Sequence, residues 1–320
     1  MKHLIRKTLA VGMTAVIAAA AFAQYPNRPV TVIVPWGAGG GTDYHARTMA
    51  AMLEKELKQP FTVVNRTGGS GVVGHSAIAE AAPDGYTIGT VTVEINMMHW
   101  MGLTKLTPRD YTPIGLLNFV PAGVEVAADS KYKTLKDLLD DAKANPGKLK
   151  ASGTGQGGIW HLALAGMLMK AGMKPDQIGW IPSDGAASGL KELVAGSIQV
   201  STVAPAEAST LIKSGKVRLL AAMTPQRIPA FPDAPTLKEQ GLDWELQSFL
   251  SLMGPKGMPK EAVDKLEAAM KKIQASPEWK AALDARGFGL NTMGAADLGK
   301  FADKSDADLG AVMKAIGIAK

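Results

Sequence analysis

Two glycine-rich loops hold the residues best placed by type and spacing to do chemistry. The first reads Trp36-Gly37-Ala38-Gly39-Gly40-Gly41-Thr42-Asp43, the second Ser152-Gly153-Thr154-Gly155-Gln156-Gly157-Gly158. A glycine turn between a strand and a helix leaves backbone N–H groups unpaired at the positive end of the helix, so it suits an anion. Three chemistries use such a turn. A dinucleotide fingerprint needs G-x-G-x-x-G, and Thr42 stands where its last glycine belongs. A phosphate loop needs a lysine and a hydroxyl residue after its final glycine, and neither loop has them. The third use is a carboxylate held by neutral donors. Thr42, Ser152 and Thr154 supply hydroxyls for that beside the backbone amides. A turn that binds nothing is the plain alternative for either loop alone.

Enzymatic readings find less support. The nucleophile elbow G-x-S-x-G is missing, since Gly68-Gly69-Ser70-Gly71-Val72 ends in valine. His45, His75, His99 and His161 show no metal-ligand spacing, and no site for a metal or cofactor is expected. Asp43 and Arg47 stand four apart on one helix. They form either a local ion pair or a polar contact to a ligand. The chain has no cysteine, which excludes disulfides, thiol nucleophiles and zinc–cysteine sites.

The elements that position these loops alternate strand and helix, an α/β pattern with mostly parallel strands. Strand Val30–Pro35 leads into the first loop and helix Thr42–Leu57. Strand Phe61–Asn65, helix Gly71–Ala82 and strand Thr87–Val93 follow. Thr112–Leu117 and Ala122–Ala127 are further strands before helix Leu135–Asn145. A second cycle starts at strand Leu149–Ser152, leads through the second loop to helix Ile159–Ala171, and continues with strand Gly179–Pro182. Helix Ala186–Ala195, strand Ile198–Val203, helix Ala206–Ser214 and strand Val217–Met223 complete it. After the proline-rich Pro225–Pro235 come strand Trp244–Met253 and helices Pro259–Ser276, Pro277–Arg286 and Ala296–Ile316. Two α/β lobes facing across a cleft would bring both loops to it.

Composition agrees with an ordinary globular chain: 320 residues, 46% hydrophobic and 20% charged. Residues 1–23 are of another kind. Lys2, Arg6 and Lys7 precede the apolar run Thr8–Ala20, and Ala21-Phe22-Ala23 offers a small-x-small cleavage site. The run is short for the ~20 residues that a bilayer crossing needs. A cleaved secretion signal, with no lipid anchor, is expected. Without it the formal charge drops from +6 to +3, and the remaining cations are interspersed with acids. No basic stripe with interleaved aromatics points to nucleic acid. An exported, cysteine-free chain fits the bacterial periplasm.

The motifs resemble those of the periplasmic substrate-binding receptors of tripartite tricarboxylate transporters, the citrate-receptor and Bug-type proteins. Pro35-Trp36-Gly37 through Asp43, Val64-Asn65-Arg66 with Gly68-Gly69, and Pro83-Asp84-Gly85-Tyr86-Thr87 carry the resemblance in the first third. Asn145-Pro146-Gly147-Lys148-Leu149, Ser152-Gly153-Thr154-Gly155, Ser214-Gly215-Lys216-Val217-Arg218, Pro235-Thr236 with Glu239-Gln240-Gly241, and Pro255-Lys256-Gly257 carry it further along. The resemblance implies a two-lobed venus-flytrap fold of type II, with lobe one at 24–124 and 244–320 and lobe two at 125–243. It implies a non-enzymatic, monomeric receptor for a di- or tricarboxylate or related organic acid. Large and small membrane subunits of a transporter would receive the ligand, although a sensor partner or an exported α/β hydrolase are competing readings. By position it implicates Trp36, Ala38, Gly39, Gly40, Thr42, Asp43, Gly69 and Ser70 of lobe one. In lobe two it implicates Ser152, Gly153, Thr154, Ser183, Asp184, Ala204 and Pro205. Two departures stand out: Thr67 replaces a proline common in the family, and Pro182-Ser183-Asp184-Gly185 replaces the Pro-Tyr-Lys-Gly of many Bug-type members.

Overall fold

A computed structural model describes residues 25–319, so the expected leader over 1–23 lies outside the described residues. The described chain builds two five-stranded sheets. In the first, β1 (Val30–Val34), β2 (Phe61–Asn65), β3 (Thr87–Thr92) and β4 (Tyr111–Pro121) run one way. In the second, β6 (Lys150–Ser152), β7 (Gly179–Trp180), β8 (Val200–Ser201) and β9 (Val217–Ala222) do the same. Each sheet also takes one antiparallel strand at a chain crossing. β5 (Gly123–Ala127) pairs with β8 and β9, and β10 (Gln247–Pro255) lies between β3 and β4. The orders are β2-β1-β3-β10-β4 and β7-β6-β8-β5-β9, a two-lobed α/β architecture.

Helices α1 (Gly41–Leu57) and α2 (Val72–Ala79) belong to the first lobe, and α3 (Leu135–Ala144), α4 (Ile159–Lys170), α5 (Ala186–Val194) and α6 (Ser209–Lys213) to the second. The C-terminal helices α7 (Lys260–Gln274), α8 (Pro277–Arg286) and α9 (Ala295–Ala315) return to the first sheet. Gln274 Nε2 donates to the Leu116 carbonyl at 2.7 Å and Asn96 Nδ2 to that of Ala302 at 2.8 Å. No described helix is long and apolar enough to cross a membrane.

Local chemistry explains the boundaries. The α3 start is a capping box in which Thr134 and Asp137 satisfy each other's backbone N–H groups. Ser276 caps α8 and Pro277 opens it, as expected for a residue with no N–H to leave unpaired. Helix α4 is apolar on every side because it is buried on nearly every side, and Gly166 lets the Trp244 ring lie against it. Where the structure departs from expectation, pairing is the reason. β4 extends past Leu117 to Pro121 because β10 pairs along its whole length, through two irregularities in register. The segment expected as one helix over Ala206–Ser214 begins instead with a turn closed by Glu207 N donating to the Ala204 carbonyl at 2.8 Å.

Candidate functional site

Both glycine loops meet at the seam between the lobes. In the first, Gly39 adopts φ +88°, where a side chain is strained, and its N–H donates to Asp43 Oδ2 at 2.9 Å. Arg47 Nε at 3.0 Å and Asn65 Nδ2 at 2.8 Å also donate to the Asp43 carboxylate. Burial works to raise the Asp43 pKa, and these bonds outweigh it and hold it below the usual range. Asp43 therefore braces its own loop. Trp36 is 6% exposed and donates its indole N–H to Thr92 Oγ1 at 3.2 Å.

In the second loop, Gly157 N–H donates to His161 Nδ1 at 3.1 Å, and burial pushes this imidazole down to about 4, so it is neutral. The Thr154 carbonyl accepts from Ser183 N–H at 3.0 Å. Ser152 and Thr154 are 0% and 5% exposed, yet neither hydroxyl has a hydrogen-bond partner among the described residues. A buried hydroxyl left unpaired costs free energy, which makes both unusual. Neither caps α4, whose cap residue is Gly158.

Contacts then cross between the lobes. Gly37 N–H donates to the Asp184 carbonyl at 2.8 Å. Ser70, in a left-handed conformation, packs so closely on Gly155 that a Cβ there would sit 2.4 Å from its Oγ. Each lobe also sends a glutamate to the helix start of the other. Glu207 Oε1 accepts from Gly41 N–H, the first residue of α1, at 2.8 Å. Glu94 Oε1 accepts from Ile159 N–H, the first residue of α4, at 3.4 Å, while its Oε2 accepts from Thr92 Oγ1 at 2.5 Å. Burial pushes the Glu94 carboxyl up against the Thr92 bond. It pushes that of Glu207 up to about 7, despite bonds from Gly41 and Ala204 and with Glu94 adding to the rise.

These groups enclose a cavity between the lobes with about 20 Å³ of room, enough for roughly one water. Trp36, Gly37, Gly40, Gly41, Thr42, Thr92, Glu94 and Ser248 line it from the first lobe. Thr154, Ile159, Trp160, Gly185, Ala186 and Glu207 line it from the second, and no lysine or arginine is among them. Of the residues singled out from sequence, Trp36, Gly40, Thr42 and Thr154 line the cavity. Gly39 faces an outer groove with Arg286, while Ala204 and Pro205 line a groove on another face. Ser152 and Gly153 lie behind the wall, Gly153 packed on Trp160 and Val203. Ser70 and Asp184 touch the opposite lobe at the seam, Gly69 lies against Val72 and Ser183 bonds Thr154 within their own lobes, and Ala38 does not line the cavity.

Residues 45–318 match the family described as the tripartite tricarboxylate transporter family receptor, TctC. The chain belongs to that family. Receptors of this kind bind solutes for transport and are not enzymes. A Cupriavidus necator relative, the UPF0065 protein in the gbd 5′ region, is 32% identical over 98% of this receptor and 95% of its own length. A TctC solute-binding protein from Polaromonas, solved with no ligand, is 36% identical and superposes with a TM-score of 0.65, over 91% of this chain and 99% of its own. The R. palustris protein Rpa4515, solved with adipate, is 27% identical with a TM-score of 0.87, over 92% and 99%. The receptor's acidic groups were the least legible from sequence. Glu94 and Glu207 each stand as a lone acid in an apolar stretch, Val91–Met98 and Val203–Ala208, and that was the available signal.

Proposed function

We propose that the chain is a periplasmic receptor that captures a small carboxylate between its lobes and delivers it to the membrane subunits of a tripartite transporter. The observation that carries this reading is the convergence of two helix starts, with the unpartnered Thr154 hydroxyl, on one interlobe cavity. Neutral N–H and hydroxyl donors at a helix start match a carboxylate without an arginine. Two family features support it: the adipate held by Rpa4515 and the transport role in the family's description.

Lobe one comprises 24–124 and 244–320 and lobe two 125–243 in this reading, and the receptor works as a monomer. Its two crossings run side by side: Ala122 N–H donates to the Leu246 carbonyl at 3.0 Å and Met223 N–H to that of Ala122 at 2.9 Å. The lobes part and close about them. The closer superposition on the adipate complex than on the more similar, unliganded Polaromonas protein agrees with a closed arrangement here. Thermal-shift screening with an organic-acid panel tests the reading, since a ligand at 100 times its Kd adds about 2.7 kcal/mol. Small-angle scattering of the unliganded receptor and its complex should show a smaller radius of gyration on binding. A panel with no hit refutes the ligand class, and an unchanged radius at saturation refutes the closure.

A further inference from the structure

We propose that Glu94 and Glu207 position the closed lobes and that their carboxyl groups make closing take up protons, so that the cleft shuts more readily as pH falls. This rests on the lobe closure read above and adds what holds the lobes together and what the closing step exchanges with solvent.

The geometry is a crossed pair. Glu94 of lobe one accepts from Ile159 N–H at the start of α4, and Glu207 of lobe two accepts from Gly41 N–H at the start of α1. Each helix start thus holds a carboxyl group of the other lobe. Opening breaks both bonds and wets both acids, which in the closed form share the wall of a cavity with room for about one water. Glu94 is 3% exposed there, and Glu207 is half-buried with one edge toward the outer groove. Ionised, the two would face each other across a nearly dry seam, where like charges repel strongly. A protonated carboxyl still has lone pairs to accept with, so it holds the helix start without that repulsion.

The neighbouring charges leave the sign of the coupling intact. Around Glu207 stand Glu94, Glu125 behind it in lobe two, and Arg286 and Lys191 on its outer side. Arg286 and the bonds from Gly41 and Ala204 favour the ionised form, and burial outweighs them, with Glu94 adding to the rise. Around Glu94 stand Glu207, the Thr92 hydroxyl and Ile159 N–H, with His75 behind Thr92. On α1, Asp43 turns to Gly39, Arg47 and Asn65, and His45 to the Gly41 carbonyl. On α4, His161 is bonded to Gly157. These three histidines are neutral and bonded inside single lobes, so the crossed glutamates carry the coupling. A group that holds its proton more tightly in the closed form favours closing as pH falls. With Glu207 near 7 when closed and near its ordinary 4.5 when open, the closing equilibrium gains up to about 100-fold between pH 8 and pH 5.

Small-angle scattering of the purified, unliganded protein at pH 5 and pH 8 tests this against three variants. Gly155→Ala marks the open shape, because its methyl would stand 2.4 Å from Ser70 Oγ and 2.6 Å from Ser70 Cα across the seam. Glu94→Gln combined with Glu207→Gln keeps an acceptor at each helix start and cannot ionise. Glu207→Ala removes the acceptor for Gly41. The unaltered protein should match Gly155→Ala at pH 8 and become more compact at pH 5. The double glutamine variant should be compact at both pH values, and Glu207→Ala wide at both. A radius that grows at pH 5 while circular dichroism stays native overturns the proposal, and so does an equal pH response in the unaltered protein and the double variant. The course of the unaltered protein decides even if a variant fails to fold. Adding a mixture of adipate, succinate and citrate at pH 8 separates the coupling from closure itself. A radius that ignores pH and shrinks with the mixture overturns the coupling and leaves closure standing, whereas a radius moved by neither overturns both.

Discussion

The starts of α1 and α4 are built alike and finished differently. Both follow a strand and a glycine loop, and both receive a glutamate from the opposite lobe. At α1 the protein satisfies the loop on both sides: Asp43 takes bonds from Gly39, Arg47 and Asn65 of its own lobe, and Glu207 of the other sits 2.8 Å from Gly41 N. At α4 the glutamate bond is long, at 3.4 Å, and two buried hydroxyls have nothing to bind. The first loop is therefore a finished wall, and the second holds spare hydrogen-bonding capacity. Unspent donors beside a helix start mark where a ligand, rather than the protein, completes the bonding.

Several measurements would break or sharpen this contrast. Thr154→Ala should have the largest effect, weakening carboxylate binding roughly 10- to 150-fold, since a hydrogen bond to a charged group is worth about 1.5–3 kcal/mol. Ser152→Ala, one layer behind, should cost less. In both variants the unliganded Tm should hold, because the lost hydroxyl has no partner in the structure. A lower Tm with normal affinity would reverse the assignment and make the two residues structural.

Proton linkage gives the next effect. The folded Glu207 carboxyl titrates near pH 7, above its ordinary value of 4.5, so the folded protein holds this proton more tightly than the unfolded chain. Its contribution to stability is full below about pH 4.5 and is lost as pH rises through 7. The whole difference is roughly 3 kcal/mol at about 1.4 kcal/mol per pH unit. His45, His75 and His161, each pushed down to about 4 by burial, act in the opposite sense over an overlapping range. Chemical denaturation of the unaltered protein and Glu207→Gln across pH 4.5–8 isolates the glutamate. The unaltered protein should lose stability relative to the variant as pH rises, and parallel curves would contradict this.

A methyl group at Gly41 would stand 2.6 Å from Glu207 Oε1, whereas one at Gly40 would meet nothing nearer than 3.8 Å. Gly41→Ala should therefore displace the glutamate and lower Tm by a few degrees, with about 1 kcal/mol lost, and Gly40→Ala should not. If the two variants melt alike, the Glu207 contact contributes nothing to the finished loop. The smallest effect is optical. Of six tryptophans, Trp36 and Trp160 line the cavity, so ligand-induced emission changes should shrink in both Trp36→Phe and Trp160→Phe. A change that survives in the double variant comes from elsewhere.

Much of this layout is legible in the sequence alone. Glycine and proline punctuation fixed the order of strands and helices, as at Pro83-Asp84-Gly85 and Pro146-Gly147, because those residues stop elements by backbone geometry alone. The length of β4 was not readable, since it depends on pairing with β10 from far along the chain. The glycine loops were visible for the same local reason as the turns. Asp43 illustrates the limit: an acid four residues before an arginine suggested both an ion pair and a ligand contact, and the side chain makes the ion pair. Glu94 and Glu207 escaped because nothing beside them in sequence calls for an acid. Their partners, Ile159 and Gly41, come from the opposite lobe.

The placement of β10 also orders the chain's folding in time. All five strands of the second sheet lie between Gly123 and Ala222, so that sheet can close as soon as β9 exists. The first sheet cannot, because β4 has β10 as its neighbour and β10 is the last strand made. Until Gln247–Pro255 arrives, β3 and β4 each present an unpaired edge, and α7, α8 and α9 have no completed sheet to cover. Such late, long-range pairing slows folding and leaves sticky edges open meanwhile. A chain cut short before Gln247 would keep the full strand set of its second lobe and leave its N-terminal one unfinished. The half of the molecule that begins the polypeptide is thus the half that matures last.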